Sequence, residues 1–286
     1  MPFEIPILVG KEVEEKYKTG DWSIRKIARE VGFSAGIITK YLLQHKYNTT
    51  LYLDKHGTGP KVKYYSNLRL IEENSPERDY WIGFIMTDGN VCKNILAVKL
   101  AEKDGLHLEK LSKFLEYDGK LFFCKEENGY DGNSVKLYVN NKILVSGLYK
   151  YGIVPRKSLC AEFKNINYKN SPALWRGAID GDGCVYIYRK IKKYGINLCG
   201  TKRICEQFKE FLDYNNITPQ SILQVKKHKN QYRITVGAKK EIVKLIHLLY
   251  DNSTVCLDRK YEKAQEILNE FKKIEEYVMS RRNKNG

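Results

Sequence analysis

Trp81-Ile82-Gly83-Phe84-Ile85-Met86-Thr87-Asp88-Gly89 and Trp175-Arg176-Gly177-Ala178-Ile179-Asp180-Gly181-Asp182-Gly183 are two versions of one short text. Each is an apolar run of helical character that meets an acid and stops at a glycine. Each therefore predicts a helix that carries one carboxylate, Asp88 or Asp182, in its last turn. Gly83 with Thr87, and Gly177 with Gly181, are small residues four apart on one helix face, which lets a second backbone approach closely. If the two helices pack along those stripes, Asp88 and Asp182 meet at the same end. Two carboxylates there suit a divalent cation. The final-turn carbonyls of Thr87 and Gly181, left unpaired by the helix, are further oxygen ligands.

A single Asp-Gly after an apolar run is an ordinary helix stop. Two copies with the same Trp, Gly and Asp offsets say more, and in them the chain resembles the LAGLIDADG homing endonuclease family, in the form that holds both motifs on one chain. The second copy follows the motif through Ile179-Asp180-Gly181-Asp182-Gly183. The first departs from it, with Trp81-Ile82 as the leading pair and Met86 where an acid often sits. Asp88, the acid with the metal role, is retained.

Outward from the motifs the same succession appears twice. After the first, residues 90–93 and 95–101 read as paired strands, 104–117 as a helix, 120–126 and 134–140 as a second strand pair, and 142–151 as a helix. After the second come strands 184–189 and 195–201, helix 203–214, strands 221–227 and 231–237, and helix 239–250. The expected class is α+β, with two αββαββα repeats related by a pseudo-twofold. The resemblance implies that each antiparallel sheet is saddle-shaped. The expected divisions are a helix-turn-helix-like domain at 1–46, a basic linker at 47–75, a first repeat at 76–158 and a second at 159–286. The second repeat ends in an amphipathic helix over 257–276 and a basic, frayed end.

At the N-terminus, residues 1–10 read as an arm and 11–18 as a short charged helix. Ser23 to Glu30 is a helix with Ile24, Ile27, Ala28 and Val31 on one side, and Gly32 supplies a turn. Ser34 caps a further helix through Leu43, with Ile37, Ile38, Tyr41 and Leu42 inside. Ala28 followed by Gly32, with Phe33 and Ile38, resembles a helix-turn-helix. Such units place their second helix in the major groove, which implies DNA contacts from Ser34, Ala35, Thr39 and Lys40.

Fifty Lys plus Arg against 34 Asp plus Glu among 286 residues leave a formal charge of +16. That field favours a polyanion, double-stranded DNA first, and 21 tyrosines suit bases and phosphates alongside the cations. Lys61 and Lys63 in the linker are placed to lie along DNA. One face of each sheet packs on helices and the other is free to meet DNA. Candidates on the free face are Lys93, Lys99, Lys120, Lys125 and Lys136 in the first repeat. In the second they are Tyr186, Tyr188, Arg189, Lys190, Lys192, Lys193, Lys226, Lys229 and Arg233. A one-residue slip in register would exchange the faces.

Seven cysteines without CxxC spacing read as reduced core thiols and argue against a zinc site or disulfide frame. With no apolar run near the roughly 18 residues of a membrane span and no signal-peptide pattern, a soluble, cytoplasmic, nucleic-acid-associated protein without a membrane partner is expected.

One more correspondence follows the last helix of each repeat. Tyr149 to Lys157 and Tyr250 to Lys260 both end Arg-Lys. The resemblance implies that a basic residue from this region reaches each active site, hence Lys157 and Lys260, to stabilise charge on a phosphate or help activate water. It further implies a monomer, encoded in an intron, whose two halves are free to read different sequences. It also implies cleavage across the minor groove with short 3′ overhangs at a long asymmetric target. The expected activity is site-specific double-strand DNA cleavage by phosphodiester hydrolysis with Mg2+, or with Mn2+ or Ca2+ in the same site. A nuclease-inactive DNA-binding regulator and an RNA-splicing maturase on the same scaffold are the alternatives. Retention of both acids and both lysines weighs against the regulator. An intein is disfavoured by the Met1-Pro2 start and the lack of a terminal His-Asn.

Overall fold

A computed structural model describes residues 5–19, 22–45, 64–125, 132–225 and 230–282, without the side chains of 277–279, 281 and 282. Lys61, Lys63, Lys226 and Lys229 lie outside the described residues. The chain forms two compact units, one drawn from residues 1–73 and 91–147, the other from 74–90 and 148–286.

The first unit opens with α1 (Ile7–Lys18), α2 (Ile24–Glu30) and α3 (Ala35–Gln44). Ser23 and Ser34 cap α2 and α3 by accepting the N–H groups of Lys26 and Ile37. Val13, Tyr17, Ile24, Ile27, Ala28, Ile38 and Leu42 form their shared core. Ile37 and Tyr41, expected inside, are half-buried, Tyr41 against the edge of that core. The expected arm over 1–10 is corrected: helix begins at Ile7. Pro6 takes the cap position with an extended backbone, and Val9, Val13 and Tyr17 recur every four residues toward the core.

From Tyr64 onward the described end of the linker stretch is folded. Ser66, Asn67, Leu68 and Leu70 are buried, and α4 (Arg69–Glu72) follows. The Asn67 amide donates to the Phe114 carbonyl at 3.0 Å. The chain then runs through α5 (Pro76–Asp88), a member of the second unit, into β1 (Gly89–Cys92) and β2 (Ile95–Ala101). After α6 (Gly105–Phe114) come β3 (Phe122–Cys124), β4 (Ser134–Asn140) and α7 (Lys142–Leu148). The antiparallel sheet has the order β1-β2-β4-β3. Leu96, Val98 and Leu100 of β2 lie opposite Val139, Leu137 and Val135 of β4, all buried on the face toward α6. On the other face Ala97 pairs with Tyr138 and Lys99 with Lys136.

The second unit holds α5 and α8 (Pro172–Asp182), then β5 (Gly183–Tyr188), β6 (Lys193–Gly200) and α9 (Lys202–Tyr214). It continues with β7 (Leu223–Gln224), β8 (Tyr232–Val236), α10 (Lys239–Tyr250) and α11 (Asp258–Arg282). Its sheet order, β5-β6-β8-β7, repeats that of the first. The fold is thus α+β with the same strand order written twice. The terminal helix runs on to Arg282, past the expected end at residue 276, because no Pro or Gly interrupts its charged turns.

Two helices lie at the centre of this unit. Ser75 and Ser171 cap α5 and α8 with Pro at the first helical turn of each. Every residue of α5 from Tyr80 to Met86, and of α8 from Ala173 to Asp180, is buried, so both helices are enclosed on all sides. A Cβ on Gly83 would overlap the carbonyl oxygen of Leu174, and one on Gly177 would overlap that of Tyr80. The two backbones therefore touch, as the stripes of small residues predict. Trp81 and Trp175 are fully buried, and each such large apolar side chain contributes on the order of 2–3 kcal/mol.

The reading of the cysteines as core thiols is corrected. Only Cys205 is buried; Cys92, Cys160 and Cys184 are exposed, and Cys124, Cys199 and Cys256 are intermediate. Strand alternation explains it, because Cys92, Cys124, Cys184 and Cys199 fall on the strand positions that face away from the helices.

Candidate active site

The last turns of α5 and α8 bring Asp88 and Asp182 together. Gly181 is the residue that permits it: a Cβ there would overlap the Thr87 hydroxyl and lie 3.4 Å from the Asp88 carboxyl carbon. Gly89 and Gly183, which end the helices, have extended backbones with φ −79° and −90°. Space, not a left-handed turn, calls for glycine there, since an added Cβ would meet the carbonyl oxygens of Ile85 and Ile179 at 2.7 and 2.6 Å.

Neither Asp88 nor Asp182 receives a hydrogen bond or ion pair from a described residue, an unusual condition for two acids in a crowded place. Burial, and then the charge of Asp182, push the Asp88 carboxyl up to about 6, against the pull of Lys260, Lys157 and Arg259. Burial likewise raises Asp182, while Lys157 and Lys260 lower it. Among the described residues no group of three or more Asp, Glu, His or Cys side chains gathers around a metal position. Two free carboxylates with backbone oxygens fit a hard cation such as Mg2+, which keeps several waters and takes few protein ligands. They do not fit zinc.

Both predicted lysines reach this point. Lys157, in a 3-10 turn, is buried and donates to the Thr87 carbonyl at 3.1 Å. Lys260, in the first turn of α11, is buried and has four carbonyls within reach: Ile179 and Asp180 at 2.6 Å, Gly181 at 3.0 Å and Gly183 at 2.8 Å. An ammonium has only three hydrogens, so it is fully engaged in closing the C-terminal end of α8. The carbonyls of Thr87 and Gly181 thus each already accept a lysine, with one lone pair left for a cation. Burial lowers both lysines, Lys260 to about 8, while nearby acids hold them up.

Sequence reasoning gave no role to Asp180, yet it lies at the centre of a buried network. Its Oδ2 accepts the Tyr80 hydroxyl at 2.8 Å and the Leu257 N–H at 2.7 Å. Burial raises its carboxyl to about 6, opposed by those hydrogen bonds and by Lys260 and Arg176. One turn earlier, Arg176 donates to the carbonyls of Val255 and Leu249. The signal available in the sequence was two charged residues inside an otherwise apolar helix.

An open cavity of about 650 Å3 borders the site, lined in part by Thr87, Lys157, Asp182, Cys199 and Thr201. On the second sheet Tyr186, Tyr188, Lys193 and Arg233 share the face turned away from the helices, in register with Gly195, Lys193 and Cys199. Asn197 and Thr235, also paired on that face, were not anticipated. Arg189, Lys190 and Lys192 belong to the hairpin turn, and Arg189 is tied to Glu266 and Glu270 of α11. In the first unit Lys99 and Lys136 sit side by side on the free face. Lys93 occupies the β1–β2 turn with φ 53°, and Lys120 and Lys125 are exposed on either side of β3. Ser34 and Lys40 are exposed on the N-terminal helices and Thr39 is half-buried.

No family model matches the chain, and no curated protein matches it. Solved structures do. The LAGLIDADG homing endonuclease I-LtrWI bound to target DNA has a TM-score of 0.50 at 13% identity, over 68% of this chain and 90% of that one. LAGLIDADG homing endonuclease I-GzeII in complex with its DNA target has 0.49 at 14% identity, over 71% and 92%. I-SmaMI bound to uncleaved DNA target in the presence of calcium ions has 0.47 at 15% identity, over 69% and 90%. The likeness to I-LtrWI is one of fold: this chain has the two-repeat fold of the LAGLIDADG homing endonucleases.

Proposed function

We propose that the chain is a site-specific double-strand DNA endonuclease that hydrolyses phosphodiester bonds with a divalent cation at a long asymmetric target. The observation that carries this reading is the pair of unpartnered carboxylates, Asp88 and Asp182, at the joined ends of α5 and α8 with a buried lysine beside each. Asp88 and Asp182, with the carbonyls of Thr87 and Gly181, would hold Mg2+, or Mn2+ or Ca2+ in its place. When bound, the ion lowers the pKa of water and neutralises charge on the phosphate. Lys157 and Lys260 keep positive charge beside the scissile phosphates, one for each strand. The fold supports the choice of DNA, because structures similar in fold are described with target DNA bound.

In this reading each sheet face contacts one half-site through the residues named above, and residues 76–158 and 159–286 act as the two repeats. α2, the Gly32 turn and α3 form an added helix-turn-helix unit. Capped helices on a common core and a left-handed glycine at φ +74° between them support that unit. One chain then cuts both strands without a second copy, on DNA inside the cell.

Selection of cleaved sites from a random DNA library with magnesium tests the activity, with Asp88→Ala and Asp182→Ala run beside the intact protein. The intact protein is expected to cut, and each variant to bind DNA but make no double-strand break. Unchanged cutting by either variant removes that acid from the site. A Ser34→Ala, Thr39→Ala, Lys40→Ala triple variant is expected to shorten the footprint and leave cleavage intact; an identical footprint counts against the helix-turn-helix assignment.

A further inference from the structure

With Trp81 laid on Trp175, Asp180 falls on Met86 and Arg176 on Ile82. The two motif helices are therefore equal in their terminal acids and unequal one turn earlier. In the second motif, Asp180 takes the N–H of Leu257, the residue whose carbonyl in turn accepts the N–H groups of Lys260 and Tyr261. Leu257 is thus the cap of α11, and Asp180 fixes it directly. Arg176 holds the carbonyls of Leu249 and Val255, so the connection between α10 and α11 is fastened to α8 at three points. The first turn of α11 then returns Lys260 to the end of α8, where four carbonyls surround its ammonium. Met86 and Ile82 carry no such groups. Lys157 holds one carbonyl, and Arg156 beside it has a left-handed backbone at φ 57°.

We propose that Asp180 is a positioning residue for Lys260, and that it makes the two half-sites unequal: Lys260 is a charge fixed in place through Leu257, whereas Lys157 is held by one carbonyl with no acid of its motif behind it. The proposal rests on the endonuclease reading for its consequence at DNA, and on the hydrogen bonds alone for its structural part. Its signature is a strand-specific defect. Loss of Asp180 should harm the strand served by Lys260 and spare the strand served by Lys157.

The test uses the full-length protein and a selected target duplex with each strand labelled separately. Asp180→Met, which copies the first motif, is compared with Lys260→Met and Lys157→Met under single-turnover conditions at saturating protein. Asp180→Met is expected to slow the same strand as Lys260→Met by 10-fold or more. The other strand should stay within 2-fold and DNA affinity should be unchanged. Asp180→Asn keeps the size and one acceptor oxygen and should recover part of the lost rate; it also supplies the comparison if Asp180→Met fails to fold. Amide hydrogen exchange at Leu257 should quicken 10-fold or more in Asp180→Met and less in Asp180→Asn. Equal slowing of both strands, no slowing, or unchanged exchange at Leu257 would overturn the proposal. If the intact protein cuts no site at all, the endonuclease reading fails, while exchange at Leu257 still decides whether Asp180 holds the cap of α11.

Discussion

The ends of α5 and α8 present the same acid to the same neighbourhood and are built differently. At α8 a buried carboxylate, a buried guanidinium and a four-carbonyl ammonium lock the chain around Asp182. At α5 the corresponding interior is Met86 and Ile82, and a single lysine bond closes the helix. A duplicated motif can thus keep its outermost chemistry while its support diverges. In α8 the support comes from Asp180 and Arg176 inside the motif; in α5 it comes from packing at Met86 and Ile82 and from Arg78, ahead of the motif, whose guanidinium donates to the Tyr151 hydroxyl.

The harshest way to break the comparison is to remove the shared acids. Asp88→Ala and Asp182→Ala should each lower double-strand cleavage on the order of 10³-fold, the scale for a group acting in the transition state, with binding retained. If one variant loses both strands and the other neither, the ends are not equivalent even in their acids. Next in size is the helix contact that both ends depend on. Gly83→Leu or Gly177→Leu must push backbone from backbone, at a cost of about 3 kcal/mol in a denaturant titration.

The lysines sharpen the contrast. Lys260→Met leaves the end of α8 without its donor and should cost about 1–3 kcal/mol of stability; Lys157→Met, losing one bond, should cost about 1 kcal/mol or less. Equal thermal shifts would erase the distinction.

Acidity distinguishes the two ends more gently. Asp88 must shed its proton to hold a cation, so cation affinity should fall about 10-fold per pH unit below pH 6, measured by calorimetry. The sign for stability is opposite. Asp88 and Asp180 bind protons in the folded protein up to about pH 6 that the unfolded chain, near 3.8, has already released. Their contribution therefore declines as pH rises from about 4 to 6 and is level above. Asp180→Asn should remove its part of that slope. The smallest effect is expected on the sheet faces, where Lys193→Ala should weaken DNA binding a few-fold in a salt-dependent way. Arg189→Ala, already neutralised by Glu266 and Glu270, should weaken it less.

Several parts of this molecule were legible residue by residue. Ser75, Ser171, Ser23 and Ser34 announce helix starts because a cap acts within three residues. The paired glycines announce close helices, the repeated motif brings both acids to one end of them, and the family resemblance pointed to both lysines. The start of α1 escaped notice because its charged turns masked a stripe of Val9, Val13 and Tyr17. The cysteines were misplaced because an apolar run does not say which of its alternate residues faces the helices.

The sequence by itself determined the duplicated α+β architecture, the contact of the two motif helices and the acids they deliver, since these depend on periodicity and on side-chain size at fixed local spacing. Only the tertiary structure decided that Asp180 would hold Leu257 and that Lys260 would close α8. Those bonds join residues some eighty positions apart, and a donor finds such an acceptor only after the intervening strands and helices have packed.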